Sequence, residues 1–197
     1  MGLHNGDKMM RYEEWSKLAR KASKRSLWMV HFCTGCGAIE MPPVMTSRYD
    51  MERFGIASMA TPRQADVLLI TGYLTVKTLR RVIQVYEQMQ SPKYVIAFGS
   101  CTINGGMYWD SYNTIKHLEK YIPVDLYIAG CMPRPEGIIN AFLELMKLID
   151  EGKARGWERY QKYYDKYKEN QRRVFNFEVK EEEKEEKEQK REKNEEH

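Results

Sequence analysis

The chain has 197 residues, of which 42% are hydrophobic and 30% are charged, and its formal net charge is +4. This composition suffices for one folded domain of ordinary size and excludes a fully disordered chain, and no hydrophobic run is long enough to span a bilayer. The excess charge is local, because residues 180–197 contain 6 basic, 9 acidic and no hydrophobic residues, which leaves 26 basic and 19 acidic residues in the rest of the chain.

Short apolar runs alternate with amphipathic segments along the chain. The patterns predict, in order, a helix over 12–25, a strand over 27–32, a strand over 66–72, a helix over 75–89, strands over 93–98 and 125–129, and a helix over 135–151. Continuous apolar strands that alternate with helices are typical of a parallel sheet covered on both faces, so the expected fold class is α/β.

The same patterns divide the chain into four expected parts. These are an N-terminal helical flank (1–26), an α/β domain (27–151), an aromatic-rich helical extension (152–179) and a charged tail expected to be disordered (180–197). The extension is predicted from aromatic residues at spacings of three and four, and the tail from its Glu/Lys-rich composition.

All four cysteines of the chain follow predicted strands. Cys33 and Cys36 follow the first strand, Cys101 the third and Cys131 the fourth. Open α/β sheets place their sites outside the carboxyl ends of the strands, so these four thiols are expected to meet at one edge. The N-terminus has no secretory signal pattern, which favours a reducing compartment where cysteines serve more often as ligands or redox groups than as disulfides.

Four thiols at one sheet edge are consistent with several chemistries. A Cys33-x-x-Cys36 dithiol needs only two sulfurs and leaves the other two cysteines unexplained. A structural zinc site usually pairs its ligands at short spacing, and only one close pair exists here. Buried structural cysteines are a further interpretation, and the weakest for four thiols at strand ends. An iron–sulfur cluster accepts a close pair plus two distant cysteines and is therefore the favoured interpretation.

The loops around the cysteines carry motifs that occur together in one order. They are Cys33-Thr-Gly-Cys36-Gly-Ala-Ile-Glu40-Met, Pro62-Arg-Gln-Ala-Asp66, Gly99-Ser-Cys101-x-x-Asn104-Gly-Gly106-x-Tyr108 and Gly130-Cys131-x-Pro133-x-x-Glu136. This set resembles the small subunit shared by respiratory complex I, where it is the 20 kDa subunit, and the energy-converting [NiFe] hydrogenases. Two residues separate the first two cysteines, as in hydrogenases and unlike complex I. The chain is most similar to the small subunit of archaeal membrane-bound hydrogenase or sulfane-sulfur reductase complexes.

The resemblance implies a flavodoxin-like fold and one [4Fe–4S] cluster on Cys33, Cys36, Cys101 and Cys131. It also implies a large catalytic partner of the hydrogenase or complex I 49 kDa type, a ferredoxin-like cluster subunit and membrane subunits. The expected location is the cytoplasmic side of the cell membrane, peripheral and held through these partners. No nucleic acid is expected as a partner, because the chain has no recognisable nucleic-acid-binding motif.

The expected function is that of an electron-transfer subunit in a membrane-bound, ferredoxin-linked respiratory oxidoreductase of the hydrogenase or sulfane-sulfur reductase type. Its cluster would be the one nearest an active site that lies mainly in the large subunit. The alternatives are a quinone-reducing, complex I-like subunit and a Cys-x-x-Cys thiol–disulfide oxidoreductase.

Two further side chains lie close to the cysteines in sequence. Glu40, four residues after Cys36, is a candidate for carrying protons that accompany the electron, but a first-turn acid stabilised by its helix dipole explains it equally well. His31 precedes Cys33 and is interpreted as a core histidine in preference to a modulator of the redox potential.

Overall fold

A computed structural model describes residues 21–58 and 61–175 of the chain. The expected tail (180–197) and most of the expected N-terminal helix (12–20 of 12–25) lie outside the described residues. Within that helix, residues 21–23 are helical, and a turn then leads into the first strand.

The predicted parallel sheet is confirmed. Its strands are β1 (Leu27–Cys33), β2 (Ile56–Ala57), β3 (Val67–Thr71), β4 (Tyr94–Phe98) and β5 (Leu126–Ile128). All pair in parallel, in the spatial order β2-β1-β3-β4-β5. The two-residue strand β2 has no counterpart in the sequence-based prediction, since so short a segment shows no periodicity.

Helices cover both faces of the sheet. They are α1 (Gly37–Met45), α2 (Val76–Gln88), α3 (Ser100–Asn104), α4 (Pro135–Asp150) and α5 (Gly156–Lys162), and residues 164–175 are also helical. Short 3₁₀ helices occupy Met51–Phe54, Gly106–Tyr108 and Leu118–Lys120. Thr75 caps α2, since its hydroxyl accepts from the amide of Thr78 at 3.3 Å, and this explains why the predicted helix begins there.

Successive side chains of each strand enter two separate cores, which is why the strands read as continuous apolar runs. Val67 and Leu69 of β3 pack with α1 and α4, whereas Leu68 and Ile70 pack with α2. The extension contributes to both cores, because Trp157 belongs to the first cluster and Tyr160 to the second. The extension is therefore an integral cover of the sheet.

Candidate metal centre

The four longer strands end at one level. The register pairs Cys33 with Thr71, Thr71 with Phe98, and Phe98 with Ile128, each the last residue of its strand. The loops that follow therefore leave the sheet side by side. Cys36, Cys101 and Cys131 each lie three residues beyond a strand end, and Cys33 is itself a strand end.

Three of the four cysteines line one cavity at this edge. Its wall is formed by Cys36, Cys101 and Cys131 together with glycines and a few other residues, namely Gly72, Phe98, Gly99, Ser100, Gly130, Met132 and Pro133. The cavity contains about 240 Å³ of space that is free of protein atoms, part of it open to solvent. Cys33 lies beside it in the same loop as Cys36, with its thiol 3.2 Å from the carbonyl oxygen of Gly35.

The Cys101 and Cys131 loops are tied to each other. The amide of Ser100 donates to the carbonyl oxygen of Gly130 at 2.9 Å, and the amide of Gly99 donates to that of Ile128 at 2.7 Å. Gly130 has φ +132°, a conformation that few residues other than glycine adopt. These bonds fix the Cys101 and Cys131 loops relative to one another.

The Cys101 sulfur occupies space that is free because residue 106 is glycine. A Cβ atom built on Gly106, at φ +55°, would lie 2.8 Å from Sγ of Cys101. Any side chain at this position would displace the thiol, so the backbone approaches the sulfur as closely as it can.

The electrostatics of the thiols reflect their proximity. Burial raises the pKa of the Cys101 thiol, and the neighbouring Cys131 and Cys36 thiolates raise this pKa further. Three ionised thiols at one place repel each other unless positive charge is added between them. The positive end of α1 offers part of that charge, because Cys36 is the residue that precedes its first turn.

The donor set is compatible with an iron–sulfur cluster. Within residues 21–58 and 61–175, no group of three His, Cys, Asp or Glu side chains is close enough to hold one metal ion. A four-iron cluster takes its four thiolates on different irons, so the sulfurs surround a volume and need not converge on a point. An open cavity walled by cysteines and glycines fits that requirement.

The other candidate residues lie at the same edge with separate contacts. Glu40 is half-buried on the first turn of α1. The pKa of Tyr49 is raised mainly by its hydrogen bond to Glu136, and the charge of Glu40 adds to this shift. His31 Nε2 lies 2.8 Å from Oγ1 of Thr71, and burial lowers the pKa of this histidine. This contact agrees with the interpretation of His31 as a core histidine.

Sequence reasoning missed a link across the two sides of the site. The hydroxyl of Tyr49 donates to Oε1 of Glu136 at 2.8 Å, which joins the loop after α1 to the first turn of α4. The backbone amide of Glu136 itself lowers the pKa of this carboxyl most, and the phenol bond and the nearby guanidinium groups lower this pKa further. Neither Tyr49 nor Glu136 belongs to a periodic hydrophobic pattern. The only signal for this pair in the sequence is the motif that ends in Glu136.

No helix within the described residues is long and apolar enough to cross a membrane.

Comparison with known proteins agrees with these observations. The family model described as "NADH ubiquinone oxidoreductase, 20 Kd subunit" matches residues 33–145. The chain is 42% identical over 162 residues to the chloroplastic NAD(P)H-quinone oxidoreductase subunit K of Lupinus luteus, and 44% identical over 135 residues to a subunit of the F(420)H(2) dehydrogenase of Methanosarcina mazei. These matches cover 82% and 68% of this chain, and 66% and 73% of the respective relatives.

The chain thus spans slightly less than two thirds of the length of the chloroplast relatives, as the 66% for Lupinus luteus and 62% for Nephroselmis olivacea indicate. A solved structure matches more fully. A chain in the membrane-bound sulfane sulfur reductase, described as an archaeal respiratory membrane complex, is 57% identical with a TM-score of 0.79. That match covers 86% of this chain and 96% of the other, and it confirms the expected α/β fold.

Proposed function

Because this chain belongs to the family of the 20 kDa subunit of NADH–ubiquinone oxidoreductase, we propose that it is an electron-transfer subunit of a membrane-bound respiratory oxidoreductase. Its cofactor would be one [4Fe–4S] cluster held by Cys33, Cys36, Cys101 and Cys131. When bound, such a cluster supplies a one-electron donor and acceptor.

One observation carries this proposal: three cysteines from three separate loops line a single cavity, and the fourth, Cys33, lies in the same loop as Cys36. A dithiol enzyme would need Cys33 and Cys36 alone. The register brings the ends of β1, β4 and β5, the three strands that lead to the cysteines, to one level of the sheet.

The residues of this chain would hold and tune the cluster. The four thiolates are soft ligands that suit iron–sulfur clusters. The first turn of α1 places backbone N–H groups and a positive helix end beside Cys36, which favours the added negative charge of the reduced state. Gly106 lets the backbone approach the Cys101 sulfur, and the glycines at positions 99 and 130 line the cavity.

We assign the active site of the assembly mainly to a partner chain of the hydrogenase or 49 kDa type, docked over the cysteine edge. Hydrophobic side chains exposed at this edge support the assignment, and we call them the rim patch: Ile39, Tyr73, Met107, Tyr108, Trp109 and Met132. Exposed apolar surface of this extent on a folded domain is typical of an interface. A ferredoxin-like cluster subunit and membrane subunits complete the proposed assembly, which holds the chain at the cytoplasmic side of the cell membrane.

The proposed electron donor is a reduced ferredoxin, and the proposed terminal acceptor is the one used by a hydrogenase or a sulfane-sulfur reductase. The 57% identity to a chain of a sulfane sulfur reductase complex favours this type. A quinone-reducing enzyme is the second candidate, favoured by the 42% identity to a quinone oxidoreductase subunit. The domain of residues 27–151 would carry the cluster in both cases.

We further propose that Glu40 carries protons that accompany the electron. It lies on the first turn after Cys36, near Tyr49. Glu40→Gln in the assembled complex is expected to keep the full iron content and to lower proton-coupled turnover. Unchanged turnover would leave Glu40 as an acid that stabilises its helix end.

The test uses the full-length chain produced without oxygen. We expect four irons and four acid-labile sulfides per chain and an electron paramagnetic resonance (EPR) signal on reduction. Replacing any one of the four cysteines by serine should remove most of the signal, whereas Met132→Leu, in the same cavity wall, should keep it.

Two results would contradict the proposal. One is a chain that binds zinc and contains neither iron nor sulfide. The other is a thiol–disulfide activity that needs Cys33 and Cys36 and is indifferent to Cys101→Ser.

A further inference from the structure

The loop that carries Cys33 and Cys36 is fastened to the neighbouring strand by one side chain. The hydroxyl of Thr34 shares its single proton between two carbonyl oxygens, that of Thr71 at 3.1 Å and that of Tyr73. The amide of Thr34 donates to the same Thr71 oxygen at 3.1 Å. Through Thr34 the cysteine loop therefore bonds to both ends of the three-residue turn Thr71–Tyr73.

The surfaces that Thr34 holds together fit closely. A Cβ atom on Gly72, at φ +84°, would lie 2.6 Å from the amide nitrogen of Gly35 and 2.8 Å from the Thr34 hydroxyl oxygen. The loop and the turn therefore touch backbone to backbone. A shift of either would change the position of Cys36, which lines the cavity together with Gly72.

The turn is also fixed by a side-chain contact with β1, the strand that leads into the cysteine loop. Thr71 is fully buried, and its hydroxyl oxygen lies 2.8 Å from Nε2 of His31. The Cys101 and Cys131 loops have their own mutual bonds through Ser100 and Gly130. The position of the Cys33–Cys36 loop relative to them depends on the Thr71–Tyr73 turn, which lies between the two halves of the site.

On the basis of the cluster assigned above, we propose that Thr34 is a positioning residue for it. Its hydroxyl sets the Cys33–Cys36 loop against the Thr71–Tyr73 turn, and so sets the spacing between this cysteine pair and the Cys101 and Cys131 pair. Thr34 supplies no ligand of its own, since its hydroxyl is directed to two carbonyl oxygens.

Thr34→Val removes the hydroxyl and keeps the shape of the side chain, while Thr34→Ser keeps the hydroxyl. Thr34→Ala is a second hydroxyl-free variant that cannot crowd the loop. Thr46→Val is the matched control, because the Thr46 hydroxyl donates at 2.9 Å to Pro43 within its own helix end and does not contact the turn.

Full-length chains carrying the cluster are compared in two measurements, iron release to the chelator bathophenanthroline disulfonate and the EPR spectrum of the reduced cluster. The Val and Ala variants are expected to release iron about fivefold faster than the wild type, the effect of losing one ordinary hydrogen bond. Their EPR g values should also shift. The Ser variant and the Thr46→Val control should match the wild type in both measurements.

The inference would be overturned if both hydroxyl-free variants released iron at the wild-type rate with an unchanged EPR spectrum. It would also be overturned if Thr34→Ser or the Thr46→Val control released iron as fast as Thr34→Val. A wild-type chain without iron and sulfide would overturn the proposed function together with this inference. A wild-type cluster that is indifferent to all Thr34 substitutions overturns the inference alone.

Discussion

Two glycines in the first turns of their helices have opposite surroundings. A Cβ atom on Gly37, at the start of α1, would lie 2.1 Å from Oγ1 of Thr71. On Gly137, in the first turn of α4, a Cβ atom would meet no atom within 4 Å. The first helix therefore approaches the end of β3 at a distance that only glycine allows, whereas the second helix has free space.

Alanine at these two positions is expected to change stability in opposite directions. Gly37→Ala should lower the free energy of unfolding by about 1–3 kcal/mol, because it overpacks the contact with Thr71, and should reduce the iron content. Gly137→Ala should raise the free energy of unfolding by about 0.5–1 kcal/mol through helix propensity. Urea titration measures the free energy of unfolding of both variants, and equal changes at the two positions would contradict this prediction.

Lys93 is buried, and its amine caps the C-terminal end of α2. Its Nζ donates to the carbonyl oxygens of Tyr86 and Met89, the latter at 3.2 Å, and lies 4.1 Å from the centroid of the Tyr86 ring. Burial lowers the pKa of Lys93 to about 8, and Glu87 opposes this shift. The unfolded chain therefore holds the lysine proton more tightly than the folded one.

This difference makes the stability depend on pH. Since the unfolded state binds more protons between about pH 8 and the ordinary lysine pKa of 10.5, the free energy of unfolding should rise with pH in that window. Lys93→Met should lose this rise, and Lys147→Met controls for the loss of one exposed charge. Urea unfolding at pH 7.5 and 9.5 compares the three proteins below the range where buried tyrosines ionise. A parallel pH profile of Lys93→Met and the wild type would refute this assignment.

At the scale of elements, one carboxylate joins the sheet to the C-terminal extension. Asp125 accepts from the amide of Val95 in β4 at 3.0 Å and from the amide of Gly156, the first residue of α5, at 2.8 Å. Burial raises its pKa, and the two amides oppose that shift. The bonds hold the start of α5 against the entry of β4.

Removing this carboxylate should loosen the extension. Asp125→Ala is expected to cost about 3 kcal/mol, because two buried amides lose a charged acceptor, and Asp125→Asn, which keeps one acceptor oxygen, should cost less. Urea unfolding and limited proteolysis of the segment after residue 155 measure the two effects. The exposed Asp165→Ala on the same extension is the control, and an equal loss in that variant would speak against the role of Asp125.

The fold followed from the sequence where local patterns decide the structure. The continuous apolar runs identified β1, β3, β4 and β5, and the spacing of Leu79, Val82 and Ile83 identified α2. Helix α1 could not be bounded this way, because Pro42 and Pro43 lie inside it and its last turns depend on packing against α4. The common end level of the strands is a property of pairing and has no signal in a single strand.

The cysteines of the site were predictable and the groups that support them were not. The rule that sites lie beyond the carboxyl ends of parallel strands brought Cys36, Cys101 and Cys131 together on sequence grounds alone. The bonds of Thr34 and the Tyr49–Glu136 pair involve polar residues in loops and at a helix start, which show no periodicity. Their geometry depends on how two loops meet in space. The four-cysteine ligand set and the role of Glu40 stay predictions.

For the molecule as a whole, the rim patch distinguishes one end from the rest of the surface. Met107 and Trp109 are 76% and 65% exposed beside the loop of Cys101, and the rings of Tyr73 and Tyr108 lie 4.8 Å apart. Met132 of the rim patch lines the cavity, and the other side chains of the patch lie on or beside the loops and turn that form it. Such an arrangement lets a partner exclude water from the cavity and leave the cysteines in place.

Polar substitutions in the rim patch should weaken assembly without unfolding the chain. Trp109→Ser is expected to reduce recovery of the large partner with a tagged chain about tenfold, because exposed tryptophans at interface centres carry much of the binding energy. Its thermal unfolding should match the wild type. Tyr163→Ser, 51% exposed on the extension, is the control and should recover the partner normally. Normal recovery with Trp109→Ser would place the interface elsewhere.

Because the cysteine loops meet only where the strands end in register, the order of synthesis decides when these loops can come together. Cys131 is made almost 100 residues after Cys33, and its loop reaches the others only once β5 has paired with β4. A nascent chain that ends before residue 131 presents three thiols and no closed site. Because domains fold as units and distant pairings form late, delivery of the proposed cluster would belong to the completed domain. The proposed ligand loops would then stand on a sheet that is already formed, with Cys131 newly in place.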